Sequence, residues 1–124
     1  MIYLDTHVVA WLYAGLLDKF SPSVKNLLNE NEILISPIVR MELQYLYEIG
    51  RLREPSEGII TDLSERIGLA IDVRDFNTVA SQALALTWTR DPFDRLIVAQ
   101  AQLSESILIS KDQNLLDHYP HARW

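Results

Sequence analysis

Four of the five prolines in this sequence stand where a helix has to begin, and they punctuate the whole chain. Pro22, Pro37 and Pro92 each follow a good capping residue: Ser21, Ser36 and Asp91. Pro55 opens a fourth helical stretch. A short side-chain oxygen at the cap accepts from the free N–H groups of the first turn. Proline at the next position loses nothing, because its missing N–H would be unpaired there anyway. Between these starts lie short apolar runs: Ile2 to Leu4, Ile33 to Ile35, Leu69 to Val73 and Ile107 to Ile109. They are too short for helices and read as buried strands.

The remaining pattern fills in around these marks. Helices are expected over Thr6 to Ala14, Pro22 to about Asn29, Pro37 to about Ile49, Pro55 to about Ile67, Asp75 to about Leu86, Pro92 to about Glu105, and Asp112 to His118. Gly50 and Gly68 stop two of them. Leu16 to Phe20 is a turn, and Ala122 to Trp124 a last edge strand. Short apolar strands alternating with helices predict an α/β domain with a mainly parallel sheet. At 124 residues, positions 1–124 form one domain able to bury a core.

Composition removes several function classes. There is no cysteine, so disulfide frameworks, Cys-based zinc sites and thiol catalysis are excluded, and a reducing cytoplasm is expected. Residues Met1 to Asp5 carry no basic segment and reach an acid at once, unlike a secretory signal. No apolar run approaches the roughly 18 residues of a membrane span. A net charge of −6 argues against non-specific nucleic-acid binding over the whole surface. It is compatible with acids clustered to hold metal, since they contribute to that charge.

The acids fall at informative places. Parallel sheets bind ligands outside the carboxyl ends of their strands. Asp5 ends the first strand and Asp112 closely follows the Ile107–Ile109 strand. Each has a plain alternative as a helix cap. Glu42 carries more weight. From Pro37 onward Ile38, Met41, Tyr45, Leu46 and Ile49 fall within an arc of about 140°, and Glu42 falls inside it. A carboxylate in a buried stripe is costly unless paired or protonated. Asp94 falls beside Ile97, Val98 and Ala101. Asp91, three residues earlier, is mainly a cap worth about 0.5–2 kcal/mol. Asp5, Glu42, Asp94 and Asp112 are therefore expected at one sheet edge. Bare, they would repel and raise each other's pKa values. An oxygen-only set points to Mg²⁺ or Mn²⁺ rather than Zn²⁺. Such ions activate water and stabilise displacement at a phosphodiester.

Other residues are set aside. His7 lies near Asp5 but reads as a loop or helix-surface residue. His118 and His121 have no third ligand nearby. Trp11, Trp88 and Trp124 read as core or interface residues, Tyr45 as packing, and Tyr47 as a subunit-interface residue. Glycine-rich phosphate loops and Gly-x-Ser-x-Gly elbows are absent.

Four segments resemble a known family. Tyr3 to Trp11 (YLDTHVVAW), Ile35 to Leu43 (ISPIVRMEL), Arg90 to Ala101 (RDPFDRLIVAQA) and Leu108 to Asp112 (LISKD), with the terminal Trp124, are similar to PIN-domain ribonucleases, and within them to VapC-type toxins of type II toxin–antitoxin modules. The resemblance covers nearly the whole chain. It implies a three-layer α/β/α sandwich with a mainly parallel four- or five-stranded sheet. It also implies Mg²⁺- or Mn²⁺-dependent endoribonuclease activity, neutralisation by a cognate antitoxin, and a homodimer. Carried over by position, the catalytic and metal-binding acids are Asp5, Glu42, Asp94 and Asp112, with Asp91 and Ser110 as outer-shell candidates. Thr89 stands where related sequences often have histidine. Ser110 and Lys111 stand where threonine and arginine are common. Arg40, Arg51, Arg53, Arg90, Arg95 and Lys111 are candidates for a local basic rim facing RNA.

Competing readings remain open. An aspartyl phosphatase would use Asp5 as nucleophile, but that chemistry wants a second acid at position 7, which is His. A PIN nuclease of RNA processing would act without an antitoxin. A non-catalytic module would offer the acidic pocket to a partner's arginine or lysine.

Overall fold

The computed structural model describes residues 1–124. Five strands, β1 (Ile2–Leu4), β2 (Ile33–Ile35), β3 (Ala70–Ile71), β4 (Ile107–Ile109) and β5 (Ala122–Arg123), form one sheet in the order β3-β2-β1-β4-β5. Every pairing is parallel. The helices are α1 (Thr6–Ala14), α2 (Pro22–Glu30), α3 (Pro37–Glu48), α4 (Ser56–Ile67), α5 (Phe76–Ala83), α6 (Pro92–Leu103) and α7 (Gln113–His118), with one 3₁₀ turn at Leu17–Lys19. All three residues of β1 and of β2 are buried, although alternate side chains point to opposite faces. Both faces of the central strands are therefore covered, giving the α/β/α sandwich.

The helix starts follow the cap-proline pairs. Ser21 Oγ accepts the Val24 N–H at 3.2 Å, Ser36 Oγ the Ile38 N–H at 3.3 Å, and Asp91 Oδ1 the Phe93 N–H at 2.9 Å. Pro55 is itself the cap of α4 rather than its first residue. Helix α5 ends at Ala83, short of Leu86, in further turns that lead to the Thr89–Asp91 approach. Gly68 ends α4 at φ +72, with nothing within 4 Å of the place a Cβ would take. Gly68→Ala should therefore cost about 1–2 kcal/mol through backbone conformation alone, without a steric clash. Thermal unfolding of the variant measures this, and an unchanged midpoint would refute it.

One expectation fails on α3. The residues aimed at the core are Val39 and Leu43, whereas Met41, Tyr45 and Ile49 are exposed (64%, 49% and 50%). The apolar arc on this helix is simply wider than its buried arc. Val39, Leu43 and the partly buried Leu46 lie within about 60° of one another at one end of it. Glu42 sits at the border, half-buried, not within a core stripe. Tyr45 is not core packing; it stacks on Phe93 of α6 at 6.2 Å between ring centroids.

A polar hub ties the sheet to α6. Asp72, just past β3, takes hydrogen bonds on one carboxylate oxygen from the Tyr3 hydroxyl, from Arg74 Nε at 3.0 Å and from Gln100 Nε2 at 3.2 Å. Gln100 also donates to the Asp72 carbonyl. Tyr3 and Gln100 are 1% and 2% exposed, so their polar atoms depend on this hub.

Candidate metal centre

Strand order decides where a site can form. From β1 the chain's connections run one way to β2 and β3, and the other way to β4 and β5. The crevice beyond the carboxyl ends of β1 and β4 lies at that switch. Asp5 is the first residue past β1, and its backbone N–H donates to Ile109 O of β4 at 3.0 Å. Ser110, the first residue past β4, is fully buried and donates its hydroxyl to Asp5 Oδ2 at 2.7 Å. Ser110 Oγ in turn accepts the Asp112 N–H at 3.0 Å. Asp5, Ser110 and Asp112 are thus fastened together across the two central strands.

Thr6 fastens the next acid. Its N–H donates to Asp5 Oδ1 at 2.8 Å, and its hydroxyl donates to Glu42 Oε1. Asp94 completes the group from the first turn of α6. Its pKa is pushed up to about 8, first by burial and then by the charges of Asp5, Asp91, Asp112 and Glu42. No hydrogen bond offsets these effects. Burial likewise raises Asp5 and Glu42. His7, Ser110 and Thr6 pull Asp5 back down, and the Thr6 hydroxyl pulls Glu42 down. The sequence-predicted acids are therefore brought to one edge and feel one another.

They do not close on a single point. No three acidic or imidazole side chains come close enough together to chelate an ion. Half of the oxygens of Asp5, Glu42, Asp94 and Asp112 are turned to protein donors. Asp5 caps α1, and Asp112 Oδ1 caps α7 by accepting the Asn114 and Leu115 N–H groups at 2.8 and 3.2 Å. Asp91 caps α6, accepting the Phe93 and Asp94 N–H groups at 2.9 and 3.4 Å. Each plain capping role is thus present. The same geometry brings the N-terminal ends of α1, α6 and α7 to this edge, and their partial positive charge favours acids there. The donor set suits a hard cation: carboxylates and a hydroxyl, no sulfur, and one carboxylate held uncharged up to about pH 8 only by its neighbours and burial.

Two residues gain importance. Thr6 was not singled out in the sequence, although a hydroxyl directly after a strand-end acid is a usable signal. His7 is not a plain surface residue. Its Nδ1 lies 3.6 Å from Asp5 Oδ2 and its Nε2 accepts the Lys111 N–H at 3.0 Å.

Half of the basic rim is engaged elsewhere. Arg40 pairs with Glu57 at 2.6 Å, Arg90 donates to Thr87 O at 2.7 Å and Arg95 to Thr89 O at 2.8 Å. Trp11 and Trp124 pack edge to face at 5.7 Å with Phe20 beside them, while Trp88 stacks flat on His118 at 4.9 Å. No helix is long and apolar enough to cross a membrane.

A family model described as the PIN domain matches residues 2–121. Among solved structures, a chain of VapBC2 from Rickettsia felis bound to a DNA fragment from its promoter is similar over 100% of this chain and 99% of its own, at 20% identity and a TM-score of 0.70. A chain of a toxin–antitoxin complex from Klebsiella pneumoniae aligns over 100% and 97%, at 19% identity and a TM-score of 0.66. A chain of DNA-bound VapBC from Salmonella typhimurium aligns over 98% and 94%, at 18% identity and a TM-score of 0.64. None of the curated proteins matches the sequence.

Proposed function

This chain belongs to the PIN domain family, and on that premise we propose that it is a Mg²⁺- or Mn²⁺-dependent endoribonuclease acting as the toxin of a type II toxin–antitoxin module. The observation that carries this reading is that burial, and after it the charges of four neighbouring carboxylates, lifts Asp94 to about 8. Asp5, Glu42, Asp94 and Asp112 would hold the ion, with Asp91 and Ser110 outside them. A divalent ion bound there would supply the charge that the acids lack and lower the pKa of water.

The chain's own residues do the rest. Ser110 and Thr6 hold Asp5 by both oxygens, and Thr6 holds Glu42, so little ordering is left to be done when a charge arrives. The Asp91 cap fixes the first turn of α6 and with it the direction of Asp94. Lys111, next to Ser110, offers a cation for the RNA backbone beside the acids. A protein partner has a surface to use: Met41 and Tyr45 of α3 are exposed, and Phe93 of α6 is stacked on Tyr45. The similarity to chains from toxin–antitoxin complexes supports an antitoxin as that partner.

Incubation of purified protein with total RNA tests this. Cleavage is expected with Mg²⁺ or Mn²⁺, to vanish with EDTA, and to return when either ion is added in excess. EDTA-resistant cleavage overturns the reading.

A second reading has one observation in its favour. Because the acids do not close into a chelate, the pocket also suits an incoming guanidinium or ammonium group. A pure binding module would take up an arginine-bearing partner, leave RNA intact and show no Mn²⁺ affinity.

A further inference from the structure

We infer that His7 is a positioning residue, whose ring fastens the β4–α7 turn to the first turn of α1, next to Asp5. This rests on the metal-dependent reading of the site. The argument begins with the two ring nitrogens. Nε2 accepts the backbone N–H of Lys111 at 3.0 Å, so its lone pair is used. In the neutral ring the proton must then sit on Nδ1. Nδ1 is the nitrogen that faces Asp5 Oδ2, 3.6 Å away. A protonated nitrogen cannot ligate a metal, and at this distance it makes no hydrogen bond to the carboxylate, so His7 acts through the turn that its Nε2 holds.

The ring's orientation is itself set by packing. It lies 4.8 Å from Trp11, centroid to centroid, on the next turn of α1. Trp11 is held in turn against Trp124, the residue that follows β5. Lys111 lies between Ser110, which donates to Asp5 Oδ2, and Asp112, which accepts at the start of α7. One imidazole thus bridges the end of β1 and the turn after β4, the two segments that supply Asp5, Ser110 and Asp112. The bond between Asp5 N–H and Ile109 O joins the same two segments at backbone level. His7 adds the side-chain counterpart, through the bond that its Nε2 accepts from Lys111.

Two measurements decide it. Long-range ¹H–¹⁵N correlation on ¹⁵N-histidine-labelled protein at about pH 9 should show His7 protonated on Nδ1, the tautomer dictated by its Nε2 partner. Mn²⁺ titration should show His7→Ala weaker than the parent by about 10–100-fold, the usual loss when a group orienting a ligand is removed. Its kcat should fall to match, with KM for RNA and the melting temperature nearly unchanged. His7→Gln, whose amide oxygen reaches toward the Nε2 position, should recover most of the affinity. Protonation on Nε2, wild-type Mn²⁺ affinity in His7→Ala, or equal loss in His7→Ala and His7→Gln would overturn the assignment. If the parent protein cleaves no RNA, the nuclease reading falls, while the tautomer and the Mn²⁺ titration still decide the role of His7.

Discussion

Asp94→Asn is expected to give a protein that is more stable than its parent in EDTA at pH 8 and that no longer cleaves RNA. Asp94 is lifted to about 8 by burial and by Asp5, Asp91, Asp112 and Glu42. Its folded pKa lies above the unfolded value, so the folded state binds the proton more tightly. The associated stability is fully present below about pH 4 and is lost as pH rises toward 8. The full displacement would be worth about 5 kcal/mol if nothing screened it. Water reaches this carboxylate, so a gain of about 1–3 kcal/mol for the asparagine variant at pH 8 is more realistic. At about pH 4 the two proteins should differ little. Excess Mg²⁺ should reverse the order by stabilising the parent alone. Activity should fall by about 10²–10³-fold or more, because a preorganised charge partner is gone. Urea unfolding at both pH values, with EDTA or Mg²⁺, measures the stabilities. A variant less stable than its parent in EDTA at pH 8 would sink the claim that these acids repel one another.

The second large effect lies away from that edge. Asp72→Ala is expected to destabilise the fold by about 2–4 kcal/mol, because it strands buried donors. The Tyr3 hydroxyl loses its acceptor, and the Gln100 amide keeps only the backbone carbonyl. Burial pushes the Asp72 carboxyl up, but hydrogen bonds from Tyr3, Arg74 and Gln100 together outweigh it and leave the pKa lowered. A lowered folded pKa means stability that is present above about pH 4 and lost as pH falls through the folded value. Asp72 and Asp94 therefore act in opposite directions along the pH axis. Tyr3→Phe combined with Asp72→Ala isolates the pair: the double variant should lose about 1–2 kcal/mol less than the sum of the single losses. Additive losses would show that the hub is not a unit. Because Gln100 and Asp94 share α6, disruption of the hub should also reduce cleavage, by less than the direct loss of Asp94.

Much of this was legible in the residues. The cap-proline pairs placed the starts of α2, α3 and α6, since local hydrogen bonding decides them. The strands were visible as apolar runs between polar residues. Asp5 and Asp112 could be placed by their position after strands, and Asp94 by its motif in the first turn of α6, whereas the apolar stripe that singled out Glu42 is largely an exposed side of α3. What was hidden depends on tertiary pairing. The buried face of α3 could not be chosen within an apolar arc wider than the contact, so Met41 and Tyr45 read as core. The orientation of His7 depends on a turn more than a hundred residues away in sequence. The Tyr3–Asp72–Gln100 hub joins three segments that no local pattern connects.

The central place of β1 has a consequence for synthesis. It pairs with β2 on one side and with β4 on the other, so Ile2 to Leu4 lie against Ile107 to Ile109. A ribosome adding about 5–20 residues per second makes Asp5 many seconds before Ser110 and Asp112. Through that interval the growing chain holds its first acid without the strand, the serine and the cap that orient it. The pocket is thus a late event in the life of each molecule. Fragments released by premature termination before β4 should be inert, and the cell meets the finished pocket only after β4 and the turn that follows it have been made.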